Sequence, residues 1–168
     1  MKEIILVRHA KSDWGTEFLK DVDRHLNERG YRDAYSLSEW YAKNKNKPHL
    51  ILSSTATRAL STALIFARNL NLDMKKFKLE EKIYEANTDK LLSVIREQDN
   101  SLDTLMLFGH NPSLSNMCNV LSDDLFFDDI PTCGILSYSF NIKTWSALEA
   151  KKGKLNYYQF PKDFKNKD

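Results

Sequence analysis

The 168-residue chain contains only two cysteines, Cys118 and Cys133. Two are too few for a disulfide framework or a cysteine-rich zinc site. Neither opens a Cys-x5-Arg loop of the kind thiolate phosphatases use, because Asp124 and Ser139 stand six residues further on. Both read as buried thiols. Four prolines and five glycines leave no Pro/Gly-rich linker, and no repeat or low-complexity tract divides the chain. No sign of charge dominates: 25 basic against 23 acidic residues give a net charge of +2, which leaves no footprint for nucleic acid. Lys43, Lys45, Lys47 and the mixed tail after Pro161 read as solvated surface. Long apolar runs are missing too. The longest, at residues 4–7 and 105–108, fall far short of the ~18 residues a membrane helix needs. The first is also too short for a signal-peptide core, so a cytoplasmic protein with no membrane partner is expected. Neither a Gly-rich nucleotide loop nor a dinucleotide fingerprint occurs.

What is present suits one globular domain over residues 1–168: 42% apolar and 29% charged residues, near the averages of soluble domains. Three short apolar runs, at residues 4–7, 50–52 and 105–108, read as fully buried strands. Helical periodicity fills the intervals. Ala34, Leu37, Trp40 and Tyr41 share one face. Ala56, Ala59, Leu60, Ala63, Ala67 and Leu70 share another, with Ser54 or Thr55 expected as its cap. Thr88 is expected to cap a short helix carrying Leu91, Leu92 and Ile95. Asn111 and Pro112 are expected to open a fourth helix that buries Leu114, Met117, Cys118 and Leu121. Residues 135–142 and 155–160 have strand character. The alternation predicts an α/β, three-layer sandwich: a mostly parallel central sheet with helices on both faces, its last strands antiparallel at an edge.

Each buried strand runs into reactive residues. The first leads to Arg8-His9, the second to Ser53-Ser54-Thr55 and Arg58, and the third to Gly109-His110-Asn111-Pro112. In open α/β sheets ligands bind beyond the carboxyl ends of the strands, where helix N-termini add partial positive charge. Two arginines and two histidines gathered there would suit a phosphate dianion. A neutral imidazole can take up a phosphoryl group, and a second one, protonated, can stabilise charge on its oxygens. Ser12, Ser54 and Asn111 are placed to add hydrogen bonds. His25 and His49 read as ordinary surface histidines. No His/Asp/Glu cluster has metal-ligand spacing, and no cofactor is expected. A magnesium-dependent aspartyl phosphatase through Asp21 and Asp23 is disfavoured, since those residues follow no apolar strand.

Leu6-Val7-Arg8-His9-Ala10-Lys11-Ser12-Asp13-Trp14 resembles the Arg-His motif that opens the histidine phosphatase superfamily, with its phosphoglycerate mutase-like fold. The Ala-Lys-Ser that follows the histidine is similar to the SixA-type phosphohistidine phosphatase branch. The segment from Asp21 to Gly30 resembles that branch's Asp-Arg-Pro-Leu-Asn-x-x-Gly stretch, with His25 in place of the proline. Ser53-Ser54-Thr55-Ala56-Thr57-Arg58-Ala59, Phe108-Gly109-His110-Asn111-Pro112 and Pro131-Thr132-Cys133 resemble later motifs in the family's order. The resemblance implies that His9 is the phosphorylated nucleophile and that Arg8, Arg58 and His110 complete its phosphate pocket. It also implies a general acid in Leu79-Glu80-Glu81, which makes Glu81 the first candidate and Glu85 the second. A phosphoramidate tolerates the lack of a strong acid, because imidazole leaves far more readily than an alkoxide. The short chain implies an open pocket, suited to phosphohistidine on a phosphotransfer protein. The alternatives are a small-molecule phosphomonoesterase with the same site and a non-catalytic phosphoprotein-binding module. Oligomeric state is not indicated.

Overall fold

The computed structural model describes residues 1–14 and 18–164. Six strands make one sheet: β1 (Lys2–Arg8), β2 (Leu50–Ser53), β3 (Phe77–Leu79), β4 (Thr104–Gly109), β5 (Ile135–Phe140) and β6 (Lys154–Gln159). Their order is β3-β2-β4-β1-β5-β6. The first four in that order run parallel, β5 pairs antiparallel with β1, and β6 pairs antiparallel with β5. Four helices cover the faces: α1 (Glu28–Asn44), α2 (Thr57–Asn69), α3 (Thr88–Arg96) and α4 (Ser113–Leu121). Among the described residues no helix is long and apolar enough to cross a membrane.

The central strands are apolar throughout because both of their faces are buried. Ile4, Leu6, Leu105 and Leu107 pack with α3 and α4 through Leu91, Leu92, Leu114 and Met117. The alternate residues Ile5, Val7, Met106 and Phe108 pack with α1 and α2 through Leu37, Tyr41, Ala63 and Phe66. This is the three-layer arrangement expected. Differences lie at the edges and caps. β3 has no apolar run to announce it, since Lys78 and Leu79 are exposed at the sheet's edge. β5 is an inner strand beside β1, so only β6 forms the antiparallel edge.

The expected caps shift because their side chains are committed elsewhere. Ser54 Oγ accepts from Ala56 N at 3.2 Å and pairs with His110, and α2 starts later, at Thr57. Asn87, not Thr88, caps α3 by accepting from Lys90 N at 2.9 Å. Asn111 spends its amide on Asp129 and Ile130, and α4 begins at Ser113. Both cysteines are buried, and the end of the expected basic tail, residues 165–168, lies outside the described residues.

The segment from Asp21 to Gly30 anchors the loop that leaves β1. Asn27 caps α1 by accepting from Gly30 N at 2.8 Å, and its own N–H donates to Lys11 O at 3.0 Å. A Cβ on Gly30 would sit 2.0 Å from Lys11 O, so only glycine lets the helix approach this closely. Gly30→Ala is expected to cost about 1–3 kcal/mol, as for an overpacked site. Urea titration checks this, and unchanged stability would show that the loop yields freely.

Candidate active site

The parallel register sets Arg8 beside Gly109 and Ser53 beside Phe108, so the three reactive strand ends adjoin. The turn before β5 fixes the end of β1. Cys133, in the left-handed region at φ 63°, donates its N–H to the carbonyls of Arg8 and His9, both at 3.1 Å, while Arg8 N donates to Gly134 O. His9 N donates to Gly109 O at 3.1 Å, which carries the pairing one residue past the strand.

His9 is 7% exposed and lines a cavity of about 590 Å³. Its Nδ1 lies 2.7 Å from Ala10 O. A carbonyl only accepts, so Nδ1 bears the proton and Nε2 keeps its lone pair. Arg58 Nε points at that nitrogen from 3.3 Å. The His110 ring lies 5.2 Å from that of His9, centroid to centroid, and its Nε2 pairs with Ser54 Oγ at 2.8 Å. Burial, chiefly, lowers both pKa values, to about 3 for His9 and about 4 for His110, and the nearby guanidiniums push the same way. His110 is therefore neutral at neutral pH. An arriving dianion would raise its pKa.

Arg58, 6% exposed, gives Nη1 to Asp21 O at 2.6 Å and Nη2 to Asp21 Oδ2 at 3.0 Å. Arg24 donates Nη1 to Asp21 Oδ1 at 3.1 Å and Nη2 to Ser12 Oγ at 2.5 Å. The Arg24 guanidinium also lies 3.5 Å over the Trp14 ring. Tyr84 donates its hydroxyl to Asp21 Oδ2 at 2.7 Å and sets its ring edge-on to His110, 5.7 Å away. Burial alone would raise the Asp21 pKa, but hydrogen bonds from Tyr84 and Arg58, with the charges of Arg58 and Arg24, hold it below the ordinary carboxylate range. Arg8 Nη1 binds both Asp129 oxygens at 3.2 Å and the Ile130 carbonyl. Asn111 donates to the same two partners. Arg8 Nε, Arg24 Nε, His110 Nδ1 and Asn111 Oδ1 are buried without a partner, and all four residues line the cavity.

The sequence-expected set is thus gathered in one cavity, with one exception: His9, Arg8, Arg58, His110, Ser12 and Asn111 line it, and Glu81 does not. Ile83 is the buried residue of the turn Glu81–Ile83, which leaves Glu81 exposed to solvent, while Glu85 stands on the cavity wall. Ser12 is 3% exposed, its hydroxyl taken by Arg24. His25 and His49 are exposed, His49 accepting from Thr104 N. Sequence reasoning missed Asp21, Arg24 and Tyr84 as part of the site. The first two stood in the segment matched to the family, which was the signal available. Among the described residues no group of three or more His, Cys, Asp or Glu is placed to hold a metal ion.

A histidine with a lowered pKa binds fewer protons folded than unfolded, between its folded value and about 6.5. The folded state therefore loses stability as pH falls from 6.5 toward 4, at about 1 kcal/mol per pH unit for each such histidine. Urea titrations across that range should show the decline, and His110→Asn should make it shallower. Equal slopes in the two proteins would mean that His110 takes up protons in the fold as it does in the unfolded chain.

The family model of the histidine phosphatase superfamily, branch 1, matches residues 4–102. An uncharacterized protein of Mycobacterium leprae is 26% identical over 167 residues, covering 93% of this chain and 100% of that one. Another, from Mycobacterium tuberculosis, is 31% identical over 116 residues, 69% of this chain and 70% of that one. Among solved structures, a protein assigned as a SixA phosphohistidine phosphatase, from Agrobacterium tumefaciens, superposes with a TM-score of 0.81 at 28% identity, covering 95% of this chain and 98% of that one. The protein histidine phosphatase SixA complexed with tungstate gives a TM-score of 0.82 at 16% identity, covering 96% and 99%. With its Arg8-His9 strand end, its mostly parallel sheet and these matches, the chain belongs to the histidine phosphatase superfamily.

Proposed function

We propose that this chain is a metal-independent phosphatase that carries the phosphoryl group on His9 and removes it from phosphohistidine on a cytoplasmic signalling phosphotransfer protein. His9 Nε2, unprotonated, attacks phosphorus as Arg58 Nε, which donates to it at 3.3 Å, shifts to an arriving phosphate oxygen, while Ala10 O holds the Nδ1 proton. Arg8, Arg58 and His110 surround the oxygens on which charge accumulates. Water then cleaves the P–N bond to His9, releasing phosphate and restoring the imidazole. Ser12 and Asn111 support the pocket, Ser12 by holding Arg24 and Asn111 by sharing Asp129 and Ile130 with Arg8.

One observation carries the choice of substrate. Among the described residues the carboxylates on the cavity wall are Asp21 and Glu85. Asp21 is tied to two guanidiniums and a phenol that keep it ionised, so it has no proton to offer, which leaves the exposed Glu85 as the single carboxyl on the wall for an ester oxygen. An ester oxygen departing as an alkoxide needs a donor; an imidazole departing from a phosphoramidate does not need one at the breaking bond. The cavity volume of about 590 Å³ favours a second reading, a small-molecule phosphomonoesterase, since it lies within the range of small-ligand sites.

Phosphate release from a phosphohistidine-bearing phosphotransfer domain, measured beside p-nitrophenyl phosphate, separates the two. Fast release from the protein with slow ester cleavage is expected, and the reverse ranking would establish the phosphomonoesterase. His9→Ala should abolish turnover and leave the urea midpoint nearly unchanged; retained activity would remove the covalent route. Arg8→Ala and Arg58→Ala should each lower the rate by roughly 10²–10³-fold, and a near-neutral result would place that residue outside the reaction. Excess chelator should leave the rate unchanged.

A further inference from the structure

We infer that Glu85 forms a leaving-group subsite, in which its carboxylate accepts a hydrogen bond from the distal N–H of the imidazole that departs. This inference rests on the phosphohistidine reading above. It begins from a symmetry in the chemistry. Phosphoryl transfer from substrate imidazole to His9 exchanges one imidazole for another, so both rings have the same need. When His9 Nε2 bonds to phosphorus, the ring becomes cationic, and the Ala10 carbonyl stabilises it through the Nδ1 proton at 2.7 Å. The ring on the far side of phosphorus is cationic before the transfer. Its distal nitrogen needs an acceptor of its own.

A cationic ring calls for an anionic acceptor, and among the described residues the cavity wall offers two, Asp21 and Glu85. Asp21 is fully engaged by Arg24, Arg58 and Tyr84. Asn87 spends its carbonyl oxygen on Lys90 N, and Ser113 donates its hydroxyl to Ala86 O. Glu85 lines the same cavity, is exposed, and among the described residues has no ion-pair partner. Its place is also suitable. Tyr84, the residue before Glu85, lies 5.7 Å from the His110 ring, which lies 5.2 Å from that of His9, and all four residues line the cavity.

The backbone there is unusual. Glu85 has φ 54°, in the left-handed region that a residue with a Cβ enters rarely. Buried Ile83 and Ala86 on either side, with Ser113 Oγ bonded to Ala86 O, hold it in place. Such conformations persist where the surroundings over-determine them, and they cluster at ligand-binding positions.

The transfer then balances. The His9 Nε2 lone pair forms the new P–N bond, and the old P–N bond breaks with its electron pair left on the substrate nitrogen. The proton already on the distal nitrogen stays there, so a neutral imidazole departs, held by Glu85 until release. Glu85 gives up no proton and takes none.

The test uses N-phosphoimidazole as the probe, with p-nitrophenyl phosphate, which has no N–H to offer, as the reference in the same preparation. Glu85→Gln should lower kcat/KM for phosphoimidazole relative to the reference by about tenfold, the scale of a lost charge-assisted hydrogen bond. Glu85→Asp should recover part of the ratio. An unchanged ratio, or parallel losses on both probes, would overturn the subsite and leave the phosphohistidine reading intact. Wild-type protein that cleaves the reference but not phosphoimidazole would overturn that reading, and the subsite with it.

Discussion

Guanidiniums repel one another, and a pocket that gathers three of them must supply the opposing charge. Asp21 meets this constraint, with one oxygen on Arg24, the other on Arg58 and a phenol hydroxyl added from Tyr84. Asp129 does the same for Arg8. Both carboxylates are largely solvent-exposed, at 49% and 68%, while the arginines beneath them are mostly buried. The ordering matters more than the energy of any one pair, since half-exposed pairs contribute little by themselves. Each fork is held in a fixed direction, which leaves Arg58 Nε aimed at His9.

The fold explains how residues so distant in the chain come to share this network. Parallel pairing of β1 with β4 and of β4 with β2 lines up three strand ends, and each delivers its reactive residues at the same level. The 3-10 turn Asp21–Asp23 then closes over them, held down by the contacts between residues 24–30 and the loop at Lys11 and Ser12. Packing around that loop and orientation of the arginines are therefore one structural problem. The close approach at Gly30 belongs to the candidate site as much as Arg58 does.

Much of this was legible in the sequence, for identifiable reasons. Residues 4–7 and 105–108 are apolar without alternation, as strands buried on both faces must be, and the residues that follow them are where a site forms in such sheets. The network around Asp21 was not legible. It joins positions 37 and 63 residues apart through polar side chains in turns, where no periodicity marks a partner. Glu81 and Glu85 differ by four positions, and burial of Ile83 decides between them. Cap positions failed similarly: Ser54 and Asn111 have the right chemistry for helix ends, and the site uses it instead.

The cysteines carry a consequence of a different kind. Cys118 and Cys133 are buried, and burial pushes both thiols well above their ordinary pKa, so neither forms the thiolate that peroxide attacks. Among the described residues no thiol lines the cavity. Phosphatases that use a cysteine nucleophile are silenced when the cell turns oxidising, which couples their signals to its redox poise. A pocket built on imidazole and guanidinium has no such coupling. On the proposed function, the phosphoryl group it removes would be lost at the same rate through an oxidative burst.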